Sequence, residues 1–245
     1  MSTPAKPPGA DTSVRRSLQI YAGLMVYLAV VAVVFSVVSV KVVVASQAEL
    51  FRWPMVAFLT VVGGISVWLG PRVGFPGLWD ARISTQNRLL FPALVGLGLG
   101  VVNLALQGFT GAVHIIAEAA NVRSINVALP DSLLFYSAGA IILEAIYRLI
   151  PITLPLWLIA NVLLRKRGQT QVFWALALLT SAIEPLEQIG FFEGHLALMV
   201  ITGVSTYAMN VFEVHLWRRY GFLAPLAFRV AYYAVWHIVG STLGF

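Results

Sequence analysis

Long apolar runs separated by short polar stretches dominate the hydrophobic pattern of the chain. Several of these runs reach the roughly 20 residues that a helix needs to cross a hydrocarbon core of about 30 Å. They do not alternate between apolar and polar residues as the strands of an outer-membrane barrel do, so helices must satisfy the backbone polar groups. The pattern predicts an all-α, polytopic transmembrane helical bundle of about seven spans. The predicted spans are residues 18–45, 53–69, 89–106, 133–164, 172–189, 196–216 and 223–243.

The segments outside these runs are short. Residues 1–16 lack apolar periodicity and are rich in small and proline residues, which predicts a disordered cytoplasmic tail. Residues 17–245 then form one membrane domain. The first apolar run is too long for a signal peptide, so we expect it to be retained as a helix. Between the third and fourth spans, residues 113–120 predict a short interfacial helix.

Basic residues are distributed unequally between the two sides of this arrangement. A cytoplasmic N-terminus places eleven of them on the cytoplasmic side and only Arg52 and Arg123 clearly opposite, as the positive-inside rule expects. We therefore expect a multi-pass protein, in the cytoplasmic membrane of a bacterium. The eleven are Lys6, Arg15, Arg16, Arg72, Arg82, Arg88, Arg165, Lys166, Arg167, Arg218 and Arg219.

Composition narrows the possible chemistry. Hydrophobic residues make up 59% of the chain and charged residues 11%, which favours the lipid bilayer as the main partner. The net charge of +6 comes from clusters at the ends of apolar runs, so we interpret it as a topology signal and expect no nucleic-acid partner. The absence of cysteine excludes thiolate metal sites and thiol nucleophiles. We expect no cofactor and no metal.

Ionisable residues inside three of the predicted spans are the main functional signal. A charged side chain at the bilayer centre costs at least about 2.5–3.5 kcal/mol, so such residues are expected to face a shared interior. At 1.5 Å per residue, most of them lie about 15–23 Å from the cytoplasmic surface and are able to meet. The sequence predicts a polar chamber between the fourth, fifth and seventh spans. Its residues are Glu144, Arg148, Glu184, Glu187, Arg229, Tyr233 and His237.

The chamber has two interpretations from the residues alone. Intramembrane charges commonly mark a catalytic or binding site. The alternative is an interhelical ion-pair network of Glu144, Arg148, Glu187 and Arg229 that only fixes the register of the bundle.

Other polar residues carry weaker signals. His114, Glu118, Glu193 and His195 fall in outer loops and are interpreted as solvated. Three glycines of the third span, Gly96, Gly98 and Gly100, favour close helix packing rather than a nucleotide loop, because no strand precedes them. The group at the cytoplasmic end of the sixth span is interpreted as interfacial. That group is Glu213, His215, Arg218 and Arg219.

The sequence Glu144-Ala-Ile-Tyr-Arg148 resembles a motif of the CPBP family, the intramembrane endopeptidases related to CAAX-prenyl proteases and bacteriocin-processing proteins. The resemblance covers residues 131–245. In that family one helix bears E-E-x-x-x-R, a second F-x-x-x-H and a third H-x-x-x-N. Glu144 and Arg148 match the second Glu and the Arg, whereas Leu143 stands where the first Glu, the presumed base, belongs.

The other two motifs match less closely. The second aligns best with residues 183–187, which puts Glu187 in the His position. The third puts Arg229 in the His position and Tyr233 in the Asn position. A second register, with Phe191 and His195, places the His at the outer edge of the membrane.

The resemblance implies an intramembrane endopeptidase with a rearranged site. Glu144 or Glu187 would serve as the base, and Arg229, His237 or Tyr233 would stabilise the oxyanion. With Arg148, these are the candidate catalytic residues. The alternative is a catalytically silent relative that binds a membrane-protein partner as an assembly or immunity factor. A small transporter is the third possibility, although neither inverted repeats nor paired broken helices are evident.

Overall fold

The computed structural model describes residues 10–37, 49–122 and 124–244. It is 83% helical, with no strand among these residues, and six of its helices are long and apolar enough to cross a membrane. The predicted all-α membrane bundle is therefore confirmed.

Eight helices follow one another along the described chain. They are α1 (Ala10–Val37), α2 (Trp53–Val73), α3 (Gln86–Thr110), α4 (Ala112–Ala119), α5 (Asp131–Leu163), α6 (Gln169–Phe192), α7 (Leu196–Tyr220) and α8 (residues 223–242).

Two boundaries differ from the sequence prediction. Helix α1 begins at Ala10, so residues 10–16 are helical rather than part of a disordered tail, while the rest of the predicted tail lies outside the described residues. The end of the first predicted span, residues 38–45, and Arg123 also lie outside them. The predicted short helix between the third and fourth spans is present as α4.

The seventh predicted span, α8, is helical but is not among the six helices that meet the criteria for a membrane span. Its Arg229, Tyr233 and His237 lower the mean hydropathy of the segment. At about 20 residues it has the length to cross a bilayer, about 30 Å. A helix with this composition needs partners for its polar groups inside the bundle.

Helix α5 lies at the centre of the bundle and contacts α1, α2, α6 and α8. Most of its central residues are buried, among them Ala138, Ala145 and Ile152, each with no exposed surface. The α-helical hydrogen bonding of α5 is interrupted by a π-helical turn at Ala145–Leu149. Such turns occur frequently at functional sites.

Helix α8 packs against α3 at two glycines. A Cβ atom on Gly96 would collide with the backbone carbonyl of Phe228, and one on Gly100 would lie 2.9 Å from Cβ of Val235. Gly98 has open space where its side chain would be. Gly96 and Gly100 are thus the close-packing positions on α3, as the small residues of membrane helices often are.

The basic residues flanking several helices lie at the same end of the bundle. The backbone carbonyl of Arg72, at the end of α2, accepts a hydrogen bond of 3.0 Å from Asn161, near the end of α5. Arg218, at the end of α7, donates a bond of 3.5 Å to Thr170 at the start of α6. The positive-inside rule predicts that this end faces the cytoplasm.

Candidate functional site

The candidate site is a buried ion-pair cluster at the meeting point of α5, α6, α7 and α8. All of its members are at most 7% exposed. It contains Glu144, Arg148, Glu184, Asn210, Glu213 and Arg229.

Glu144 and Arg148 supply the contribution of α5. They are four residues apart along the helix, which places both side chains on one face. Nη1 of Arg148 donates a hydrogen bond of 2.7 Å to Oε1 of Glu144. The π-helical turn begins directly after Glu144 and contains Arg148.

Arg229 of α8 connects the other members of the cluster. Its Nε donates to the same Oε1 of Glu144 at 2.6 Å. Its two terminal nitrogens reach the two carboxylate oxygens of Glu184 on α6, both at 3.0 Å, in the bidentate geometry typical of strong guanidinium–carboxylate pairs. Nη1 also donates to the hydroxyl of Tyr233 at 3.1 Å. Arg229 therefore has a hydrogen bond at every guanidinium nitrogen.

Asn210 and Glu213 bring α7 into the cluster. They are three residues apart and so share a face of the helix. Oε2 of Glu213 accepts hydrogen bonds from Nη2 of Arg148 and, at 2.8 Å, from Nη2 of Arg229. Oδ1 of Asn210 accepts from the same two nitrogens, at 2.6 and 3.1 Å. Each of the two α7 side chains thus bonds to both arginines.

Asn210 also bonds to the backbone of α6, next to a proline. Pro185 has no backbone N–H, so the carbonyl of Ser181, four residues earlier, lacks its usual helical donor. The side-chain amide of Asn210 donates to that carbonyl at 3.2 Å. Helices α6 and α7 are therefore linked at the point where the backbone of α6 is interrupted.

Three carboxylates and two guanidiniums meet in this cluster, so its formal charges do not cancel. Oε2 of Glu144, Oε1 of Glu213 and Nε of Arg148 are buried without a hydrogen-bond partner among the described residues. A buried charge is tolerated only when it is paired and hydrogen-bonded, and an unsatisfied polar atom costs about 1–3 kcal/mol. The cluster is thus mostly, but not completely, satisfied.

Glu187, a predicted member of the chamber, lies outside the cluster. Its side chain is exposed, and Oε2 accepts a hydrogen bond of 2.7 Å from the hydroxyl of Tyr147. Only Glu184 of the two glutamates on α6 reaches Arg229.

His237 also lies apart from the ion pairs. Its Nδ1 is 2.6 Å from Oδ1 of Asn126, and its ring stacks on that of Tyr136 with centroids 4.2 Å apart. Tyr233 lies between the two groups, since it accepts from Arg229 and its ring is 4.9 Å from that of His237. The structure therefore brings Glu144, Arg148, Arg229 and Tyr233 together and places Glu187 and His237 in adjoining positions.

The interfacial interpretation of Glu213 is wrong, because its side chain has no exposed surface and bonds to two arginines. Sequence reasoning missed both Glu213 and Asn210. A signal was present: Thr206, Asn210 and Glu213 recur at intervals of four and three, which forms a polar stripe on an otherwise apolar helix. Thr206 continues the stripe by donating to Gln188 of α6 at 2.9 Å.

Among the described residues, no group of three or more His, Asp or Glu side chains is arranged to hold a metal ion. No protein-family model, curated protein or solved structure matches the chain.

Proposed function

We propose that this chain is a catalytically silent, CPBP-like protein of a bacterial cytoplasmic membrane that acts by binding a membrane-protein partner, as an assembly or immunity factor. The proposal rests on the state of Glu144, the residue matched to the family motif. Its Oε1 is held by both Arg148 and Arg229, and its side chain has no exposed surface.

A general base in a hydrolase must reach a water molecule and accept its proton. The lone pairs of Oε1 of Glu144 are directed at two guanidinium groups, and burial separates them from water. Glu184 uses both of its oxygens for Arg229. These contacts favour a structural role for the carboxylates over a role in proton transfer.

The arginines are occupied in the same way. An oxyanion stabiliser must direct an N–H at the position of the developing charge. Both terminal nitrogens of Arg229 already donate to Glu184, and its Nε donates to Glu144. These contacts favour a role in which the cluster holds four helices in fixed positions. A partner would then be recognised by the outer faces of the bundle.

One observation favours the endopeptidase as a second candidate. Oε2 of Glu144 and Oε1 of Glu213 are buried without a partner among the described side chains, and a carboxylate oxygen of this kind is able to hold a catalytic water. If the chain is an enzyme, one of these two oxygens would accept a proton from the water that attacks the peptide bond.

The two candidates are separated by assaying the purified, liposome-reconstituted protein against a library of membrane peptides, with Glu144→Gln and Glu213→Gln as variants. Glu193→Gln is the matched control, because Glu193 is exposed and outside the cluster. We expect no cleavage by the wild type and a stable partner that co-purifies from the membrane. Cleavage that is lost in a folded Glu144→Gln or Glu213→Gln variant, but not in the control, would establish the endopeptidase. Solute or proton counterflow in the same liposomes would instead indicate a transporter.

A further inference from the structure

A groove runs between α1 and α2 near the basic end of the bundle. It has a volume of about 450 Å³ and is open to the outside. Its lining combines one cation, one amide and several apolar side chains. The lining residues are Val14, Arg15, Leu18, Gln19, Ala22 and Trp68.

Trp68 forms one wall of the groove and carries a second cation. The guanidinium of Arg72 lies 3.6 Å from the centre of the Trp68 ring, and its Nη1 donates a hydrogen bond of 2.6 Å to the Trp68 carbonyl. Both side chains are exposed, Trp68 by 45%. Trp is enriched where the bilayer meets water, and arginine side chains extend toward that interface.

Among the side chains that the structure describes, no carboxylate pairs with Arg15 or with Arg72. Arg15 is exposed and lines the groove, and Arg72 lies against its wall. The guanidinium is the group that binds phosphate most readily, and here Arg15 offers one within the groove and Arg72 a second on the Trp68 wall.

Polarity changes along the groove in the direction of the bilayer. On α1, Arg15 comes first, then Leu18 and Ala22 at intervals of about one turn toward the membrane interior. On α2, Trp68 lies one turn farther into the membrane than Arg72. The cations thus lie at the rim and the apolar residues below them, which matches a phosphate head group attached to an acyl chain.

We infer that this groove binds one anionic phospholipid of the cytoplasmic leaflet. Arg15 and Arg72 contact its phosphate, the amide of Gln19 contacts the polar head group, and an acyl chain lies over Leu18, Ala22 and Trp68. The occupant is a lipid rather than a soluble phosphate because most of the lining is apolar and faces the bilayer. The site is separate from the buried ion-pair cluster and does not depend on what that cluster does.

Native mass spectrometry of the detergent-solubilised full chain tests this site. Phosphatidylglycerol and phosphatidylcholine are titrated separately, and the affinity for each is compared. We expect phosphatidylglycerol to bind more tightly and its binding to weaken as salt is added. An arginine at the surface of an anionic membrane contributes about 1 kcal/mol, so Arg15→Gln with Arg72→Gln is expected to weaken phosphatidylglycerol binding by about 25-fold.

The matched control is Arg165→Gln with Lys166→Gln, which removes two positive charges from the same end of the bundle at residues that do not line the groove. It should change phosphatidylglycerol binding by less than about twofold, and Trp68→Leu should weaken it. Circular dichroism melting verifies that each variant is folded. Equal losses in the two double variants, equal affinity for the two lipids, or full competition by glycerol phosphate without acyl chains would each overturn the proposal.

Discussion

Nε of Arg229 lies 2.6 Å from Oε1 of Glu144, and neither side chain has any exposed surface. The two residues are 85 positions apart in the chain and on different helices, α8 and α5. This bond joins α8 to the central helix of the bundle.

Removing this carboxylate is expected to destabilise the bundle strongly. Glu144→Ala deletes the acceptor shared by Arg148 and Arg229 and leaves buried guanidiniums without it. Both arginines keep Glu213 or Glu184 as an ion-pair partner, but Nη1 of Arg148 and Nε of Arg229 lose their acceptor, and each buried unsatisfied N–H costs about 1–3 kcal/mol. The free energy of unfolding is measured by steric trapping or denaturant titration in detergent micelles. Glu187→Ala is the control, since that side chain is exposed, and a loss equal to that of Glu144→Ala would contradict the burial argument.

The pair between Arg229 and Glu184 should be strongly coupled. A double-mutant cycle of Arg229→Gln and Glu184→Gln is expected to give an interaction energy of about 1–3 kcal/mol, because the contact is bidentate and buried. The comparison pair is Arg52 and Glu49, 2.8 Å apart and more than half exposed. Exposed pairs contribute about 0–1 kcal/mol. If the two cycles give the same value, the buried cluster does not stabilise the fold by this contact.

The glycines of α3 allow a matched comparison. Gly96→Ala would bring a Cβ atom into the carbonyl of Phe228, whereas Gly98→Ala would enter open space. We expect Gly96→Ala to lower the unfolding free energy by about 1–3 kcal/mol, the usual cost of overpacking. Gly98→Ala should be neutral or slightly stabilising, because alanine is the better helix former. Both are measured by thermal unfolding in detergent, and equal effects would show that α8 is not packed against Gly96.

Asp80, in the loop between α2 and α3, should make stability depend on pH in the acid range. Its carboxylate accepts hydrogen bonds from Arg82 at 3.0 and 2.6 Å, and this pairing lowers the pKa of Asp80. A lowered pKa means that the stabilisation is present above the ordinary pKa of aspartate, about 3.9, and is lost as the pH falls through the lowered value. Asp80→Asn should therefore unfold at a lower temperature than the wild type at pH 7, and the difference should shrink in acid. A constant difference across this range would mean that the ion pair contributes nothing.

Helix positions followed well from hydropathy, because a bilayer allows only long apolar segments with internally bonded backbone. Contacts between helices were harder to predict from the sequence. The nearby charges of Arg218 and Arg219 predict that Glu213 lies at the membrane interface, yet α7 continues to Tyr220 and the glutamate is buried. The distance of a residue from a charged helix end says nothing about which side of the helix it occupies.

The two glutamates of α6 show a second feature that the sequence does not predict. Residues three apart share a face of a regular helix, so the sequence predicts Glu184 and Glu187 in one chamber with Arg229. Both lie in the same helical segment, Ile183–Ile189, yet Glu184 reaches Arg229 and Glu187 meets Tyr147 instead. Spacing along one helix does not determine which neighbouring helix each side chain contacts, because that depends on packing.

The position of Arg229 near the end of the sequence has a consequence for the order in which the cluster forms. A ribosome delivers Glu144 and Arg148 together, one helical turn apart, and then adds Glu184 and Glu213 before Arg229, the second arginine of the cluster. Glu213 is able to pair with Arg148 as soon as it is made, but Glu184 has its ion-pair partner only when Arg229 of α8 follows. We therefore expect the buried cluster to be completed only once α8 is inserted, so that a nascent chain interrupted before Arg229 leaves Glu184 without its guanidinium partner.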